Sequence, residues 1–253
     1  MPEILILGGT TEASALAQLL AAQGLAATLS YAGRTQAPRA QPVRVRIGGF
    51  GGVEGLAAYL REYGVTHLVD ATHPFAAQMS AHAMAAAQAA GVPLIALTRP
   101  AWQTQPGDAW TRVADVAGAV DALAGPARRV LLALGRMHVA AFAAQGQHHY
   151  VLRFVDTPDA PPPLPDHALV VDRGPFTVEG DMALLQRHAI DLIVCKNAGG
   201  SGAQAKLIAA RALGLPVIMI DRPDLPPRHE VHDPQAVLDW IAHAAAPSRL
   251  RGV

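Results

Sequence analysis

Ile4-Leu5-Ile6-Leu7-Gly8-Gly9-Thr10-Thr11-Glu12 is the stretch whose reading decides the fold. Four consecutive apolar residues, two of them Ile, predict a short strand buried on both faces. Gly8-Gly9 predicts a turn with no Cβ in the way. Thr10 or Thr11 then caps a helix with Glu12 in its first turn, Leu16, Leu19 and Leu20 at helical spacing, and Gly24 at its end. A strand, a glycine turn and a helix start aim free N–H groups and a positive helix end at one spot, which suits a nucleotide phosphate. The spacing falls short of G-x-G-x-x-G, so this turn alone leaves a plain βα connection open.

Working outward, residues 26–30 predict a second strand that ends in Ser30-Tyr31-Ala32-Gly33-Arg34. In a dinucleotide fold this position carries an Asp or Glu when the ribose 2′-OH is to be bound. Here there is no acid. A hydroxyl at Ser30 and a guanidinium at Arg34 suit a 2′-phosphate, hence NADP, although Arg34 also reads as a solvated loop residue. Residues 43–47 predict a third strand, followed by Gly48-Gly49-Phe50-Gly51-Gly52. Glycine at that density points to positive φ or to close approach of a ligand. A helix with Val53, Leu56, Ala57 and Leu60 on one face follows, then a strand over 67–70. It ends in Asp70-Ala71-Thr72-His73-Pro74, with Pro74 suited to the first turn of a helix running to Ala90. Residues 94–97 predict a fifth strand.

Five βα units make residues 1–100 a Rossmann-like, NADP-binding domain. Residues 103–108, polar and Pro/Gly-bearing, read as a linker. Alternation then resumes, with strands over 130–134, 150–155, 168–171, 192–195 and 216–220 and helices over 115–123, around Met182 and Leu185, and up to Leu213. Lys196-Asn197-Ala198-Gly199-Gly200-Ser201-Gly202 is a second glycine-rich turn opening a helix. Asp233 and Pro234 start a final helix. The fold class is therefore α/β, with two doubly wound parallel sheets and an interdomain cleft. Residues 101–253 form the second domain, and the final helix is free to pack back on the first.

Composition excludes several classes. Zero net charge argues against a nucleic-acid binder, and no apolar run approaches the roughly 18 residues of a membrane span. Cys195 is the single cysteine, so no internal disulfide forms and a cytoplasmic location is expected. Eleven His invite a metal reading, but no H-E-x-x-H or C-x-x-C spacing is present. His229 and His232 sit in a Pro-rich polar stretch that reads as a solvated loop. His148-His149 reads as a strand pair with opposite-facing side chains. We expect no protein-bound metal.

These motifs resemble the precorrin-6A reductase family of the corrin (cobalamin) pathway, cobalt-precorrin-6A reductases included. The resemblance runs nearly the whole length. It rests on Gly8-Gly9-Thr10-Thr11-Glu12, Ser30…Gly33-Arg34, Gly48-Gly49-Phe50-Gly51 and Asp70-Ala71-Thr72-His73-Pro74-Phe75-Ala76. Thr98-Arg99-Pro100-Ala101-Trp102, Gly174-Pro175-Phe176 and Lys196-Asn197-Ala198-Gly199-Gly200 complete it. It implies an oxidoreductase that uses NADPH to reduce a ring C=C bond of precorrin-6A to the dihydro product, precorrin-6B. On that basis Gly8, Gly9, Thr10, Thr11 and Glu12 hold the pyrophosphate turn, and Ser30 and Arg34 hold the 2′-phosphate. Gly49 and Thr72 flank the nicotinamide side. Arg136, Arg173, Lys196, Gly200 and Ser201 meet the carboxylates of the corrinoid substrate. His73 and Lys196 are the candidate proton donors, beside water or substrate tautomerism.

Each basic residue also reads as an ordinary surface charge. That reading is weakest for Lys196, because the chain's two lysines, Lys196 and Lys206, bracket one turn. Neither nucleic acid nor membrane is an expected partner; transient contact with neighbouring pathway enzymes fits the resemblance. Two other functions stay open: a non-catalytic NADP sensor, and an NADP-dependent reductase of another polycarboxylate. An epimerase falls, because no Tyr is followed by Lys four residues later.

Overall fold

The computed structural model describes residues 2–33, 40–172, 174 and 176–244. The chain divides into two compact units. Residues up to Arg99 join the stretch from Asp224 onward, and Pro100–Pro223 forms the second. The sequence reading had given 101–253 to the second domain with the last helix free to return. In the structure the return already begins at Asp224.

The first part runs β1 (Glu3–Leu7), α1 (Thr11–Ala22), β2 (Ala26–Tyr31), β3 (Arg44–Ile47), α2 (Gly52–Glu62), β4 (His67–Asp70), α3 (Ala77–Ala90) and β5 (Leu94–Leu97). The second unit runs β6 (Trp110–Val113), α4 (Val116–Asp121), β7 (Arg129–Ala133), a 3-10 segment (Arg136–Gln145), β8 (His149–Phe154), β9 (His167–Val171), α5 (Val178–Arg187), β10 (Leu192–Lys196), α6 (Ala205–Ala212) and β11 (Val217–Ile220). The chain then returns to the first unit as β12 (Glu230–Val231) and α7 (Pro234–Ala244).

β1 lies inside the first sheet, and Ile4, Leu5 and Ile6 are completely buried. Successive strand side chains alternate faces. Ile4 and Ile6 accordingly pack with Leu16 and Leu20 of α1 and Val237 and Ile241 of α7. Leu5 and Leu7 pack with Leu56, Leu60 and Ala83 of α2 and α3. Helices on both faces are what an all-parallel sheet needs. In the second unit Leu131, Val151, Ile193, Cys195 and Met219 make the corresponding core with Leu185 and Leu207.

The first sheet has the order β12-β5-β4-β1-β2-β3 and the second β6-β11-β10-β7-β8-β9, with every pair parallel. Counted from β1 in the first sheet, and from β7 in the second with β6 taken last although it comes first in its unit, both sheets read 3-2-1-4-5-6, the Rossmann order. The sixth strand is unusual in each. β6 directly follows the fifth strand of the first sheet yet pairs in the second, Val217 opposite Trp110. β12 follows the fifth strand of the second sheet yet pairs in the first, Val231 opposite Leu97.

Several local expectations change. The helix expected from Pro74 begins at Ala77, because Ala76 N–H turns back to the His73 carbonyl (2.7 Å) and a turn intervenes. The helix after the second glycine turn begins at Ala205, with a turn between. The presumed linker over 103–108 is docked: the buried Asp108 carboxylate accepts from Arg211 Nε at 2.8 Å within the second unit. His229 and His232 are exposed, as expected of a solvated loop, and the stretch is also tied to the first sheet: Ala96 N–H donates to the His229 carbonyl (2.8 Å) and His232 Nδ1 meets the Thr98 carbonyl (3.2 Å). His148 lies before β8 rather than in it. Its buried ring accepts from Arg128 N–H and meets the Leu123 carbonyl. Among the described residues no helix is long and apolar enough to cross a membrane, and no three His, Cys, Asp or Glu are grouped to hold a metal ion.

Candidate active site

In the first sheet the strand order reverses between β1 and β4, so the loops after them leave toward opposite faces and open a crevice. Gly8, Gly9 and Thr10 follow β1; Ala71 and Thr72 follow β4. Gly8 donates its N–H to the Ser30 carbonyl at 2.9 Å, and a Cβ there would stand 2.5 Å from Leu29 Cδ1. Gly9 has φ +123°, a conformation open to glycine. Thr10 is the helix cap. Its Oγ1 accepts from Ala13 N–H (3.1 Å) and donates to the Ala71 carbonyl (2.8 Å), tying the two loops together. With the hydroxyl so committed, Thr10 has its backbone N–H to offer a ligand, alongside the first-turn N–H groups of α1, which lack intrahelical acceptors.

Thr11 is exposed, and its hydroxyl donates to the Glu12 carboxylate at 3.0 Å. Glu12 in turn lies 3.6 Å from the Arg99 guanidinium, which is mostly buried and whose Nε has no partner. A carboxylate at a helix start repels a phosphate, and Arg99 offsets that charge.

Asp70, at the end of β4, is 2% exposed and heavily bonded. One carboxylate oxygen accepts from Thr72 N–H (3.1 Å) and Thr72 Oγ1 (2.7 Å). The other accepts from Ser80 Oγ (2.6 Å) and Arg228 Nη1 (2.6 Å). Thr72 is therefore shaped by Asp70, and Arg228, just before β12, was not legible as part of this arrangement. His73 Nδ1 accepts from Phe75 N–H at 3.2 Å, so a neutral imidazole there carries its proton on Nε2.

Ser30 is buried at the end of β2, directly opposite Arg46 in register. Arg46 Nη1 reaches Ser30 Oγ (3.3 Å) and the Gly48 carbonyl, and Nη2 reaches the Gly49 carbonyl (2.7 Å). Gly49 follows β3 and Thr72 follows β4. β3 and β4 lie on opposite sides of β1, three strand spacings or about 14 Å apart. Arg34 and Arg173 lie outside the described residues.

The second sheet reverses between β7 and β10. Arg136 opens the 3-10 segment after β7, half-exposed and 4.0 Å from Asp156. Tyr150 holds that segment from below: its buried hydroxyl donates toward the Phe142 (3.2 Å) and Gln145 (2.9 Å) carbonyls, and burial pushes it up to about 12. Lys196 ends the neighbouring β10, so the structure brings these two cations to adjacent strand ends. The turn after Lys196 is clamped. Asn197 accepts from Trp102 N–H (2.8 Å) and donates to the Trp102 carbonyl (3.0 Å). The Trp102 indole donates to the Gly200 carbonyl (2.7 Å), and Arg222 donates to the Asn197 and Ala198 carbonyls (3.0 Å each). Ser201 is exposed. Lys206 is buried, with its ammonium on the Ala203 carbonyl and 4.8 Å from the Trp102 ring centroid.

Comparison with known proteins adds the family. The chain is 58% identical to the precorrin-6A reductase of Rhodobacter capsulatus over 254 residues, covering 100% of both. It is 49% identical to that of Sinorhizobium sp., covering 98% of this chain and 95% of the other. At 31% identity it matches a cobalt-precorrin-6A reductase of Priestia megaterium, over 88% and 91%. A solved CobK precorrin-6A reductase superimposes with a TM-score of 0.93 at 57% identity, over 98% and 99%. The model of the precorrin-6x reductase CbiJ/CobK family matches residues 3–242. With two parallel Rossmann-like sheets, and with that match spanning nearly every described residue, the chain belongs to the precorrin-6x reductase CbiJ/CobK family.

Proposed function

We propose that this protein is an NADPH-dependent precorrin-6A reductase of cobalamin biosynthesis, reducing one ring C=C bond to give precorrin-6B. The observation that carries the cofactor half is the β1 turn at the reversal point, with positive φ at Gly9, a helix start behind it and no acid at the end of β2. These residues fit a dinucleotide diphosphate and a ribose bearing a 2′-phosphate. The substrate half is supported by full-length relatives that bear the name. A cobalt-free macrocycle is favoured because the relatives at 49–58% identity are named precorrin-6A reductases and the cobalt-precorrin enzyme stands at 31%.

NADPH, when bound, supplies the hydride. Gly8, Gly9, Thr10 and Thr11 present backbone N–H groups to the pyrophosphate, and Glu12 orients Arg99 beside it. Ser30 and Arg34 face the 2′-phosphate. Thr72, fixed by Asp70, borders the nicotinamide end, and Gly49 lies toward the adenosine end. Arg136, Lys196 and Arg173, with the turn at Gly200 and Ser201, take up the substrate carboxylates by charge-assisted hydrogen bonds. A proton for the second carbon is held at Lys196 Nζ or His73 Nε2.

The test is purified protein with NADPH and precorrin-6A, followed by absorption and mass. One NADPH consumed per macrocycle and a product heavier by two hydrogens is expected. Bound NADPH with the macrocycle returned unchanged would overturn the reading in favour of a sensor.

A further inference from the structure

We propose that Arg46, on the edge strand β3, is a second guanidinium that reads the cofactor's 2′-phosphate; this rests on the NADPH reading above. Two arginines alternate along β3, and their surroundings differ. Arg44 is exposed and pairs with Glu3. Arg46, two residues nearer the C-terminal edge, takes part in none of the ion pairs among the described residues. Its guanidinium carbon lies 3.8 Å from the centroid of Phe50 and 5.3 Å from that of Tyr59. The two rings stand edge-on at 5.2 Å and fix its plane. Bonds to Ser30 Oγ and to the Gly48 and Gly49 carbonyls fix its rotation.

A guanidinium carries five N–H donors, and three are committed here. The glycine loop is folded to make this seat. Phe50 turns its carbonyl back onto α2 so closely that a Cβ at Gly55 would stand 1.7 Å from its oxygen. Partly desolvated charge with no carboxylate beside it calls for an anion. The site lies at the end of β2, where a dinucleotide fold places the ribose 2′ position. Pre-set in this way, Arg46 needs little ordering on binding, which is what makes a fork donor selective for phosphate. Ser30 then acts by seating Arg46.

The experiment uses calorimetry with 2′,5′-ADP and 5′-AMP, alongside the ratio of kcat/KM for NADPH over NADH. The parent should bind 2′,5′-ADP at least tenfold more tightly than 5′-AMP. Arg46→Met keeps the stacking aliphatic stem and removes the fork. It should erase about ten- to a hundredfold of that preference and of the kinetic ratio, the size of a charged hydrogen bond. Arg46→Lys should restore only part. Thermal midpoints of both variants monitor the loop. Equal weakening of both nucleotides would mean that Arg46 only supports the loop, and an unchanged preference would leave the phosphate to other residues; either overturns the proposal. A parent that itself ignores the 2′-phosphate overturns the NADPH reading too, and is recognised without any variant.

Discussion

Gly199→Ala probes the clamp around the second glycine turn. Gly199 has φ +71°, and a Cβ there would lie 2.2 Å from the Pro100 carbonyl oxygen and 2.4 Å from Arg222 Nη2. Ordinary contact begins near 3.4 Å, so the Pro100 backbone would have to retreat by about 1.2 Å. Left-handed backbone at a non-glycine costs about 1–2 kcal/mol and overpacking about 1–3 kcal/mol. Arg222 also loosens from the Asn197 and Ala198 carbonyls, so the loss should reach about 3–5 kcal/mol. Gly214→Ala is the matched control. Its φ is +65° with nothing within 4 Å of a Cβ, so only the backbone term, about 1 kcal/mol, applies. Urea unfolding, followed by fluorescence in a Trp240→Phe background, leaves Trp102 and Trp110 to report on the second unit. A midpoint shift for Gly199→Ala several times that for Gly214→Ala, at unchanged slope, is expected. Equal shifts would refute the argument from close approach.

Arg228→Met leaves Asp70 buried without its cation but still bonded to Thr72 and Ser80; a loss of about 3 kcal/mol in urea, the low end for a broken buried pair, is expected with weaker NADPH binding. His67 is 5% exposed, its Nε2 has no partner, and burial holds its pKa below the usual 6.5. The unfolded chain therefore binds a proton near pH 6.5 that the folded chain takes up only at lower pH. Stability contributed by neutral His67 is present above pH 6.5 and falls as pH drops below it; His67→Leu should flatten that part of the urea-midpoint profile between pH 7.5 and 5. Tyr150→Phe removes the hydroxyl that supports the Phe142 and Gln145 carbonyls. A loss of about 1–2 kcal/mol should come with a raised KM for the corrinoid, since Arg136 opens the same segment.

Much of the architecture was legible because burial on both faces leaves continuous apolar runs. Ile4 to Leu7, Leu94 to Leu97 and Leu192 to Cys195 announce themselves, and Asp115 and Asp233 mark helix starts as caps. The edge strands β6 and β12 were not legible. Trp110-Thr111-Arg112-Val113 has one solvated edge, and Glu230-Val231 is too short to show a period. Buried cations escaped for another reason. Arg228 meets Asp70 across 158 residues and Lys206 sits against Trp102, and a charge reads as surface until its partner is known. Arg46 went unremarked inside the strand predicted over 43–47; the Phe50 ring and Gly49 carbonyl that seat it come from a loop whose path glycine composition does not specify. Strand order, likewise, is not written in the run of elements, and it sets β3 and β4 on opposite sides of β1.

The exchanged sixth strands bear on synthesis. A chain emerging from the ribosome has every strand of the second sheet in hand once Ile220 is out, because β6 precedes the other five. The first sheet, begun some two hundred residues earlier, still has β5 as an open edge at that moment, and the α1 face of its core still lacks Val237 and Ile241. The unit translated first is thus the last to close. Through that interval an unpaired parallel edge and an uncovered apolar face are shown to solvent or a chaperone. A stop codon shortly after residue 223 would spare the second unit and leave the first permanently in that state.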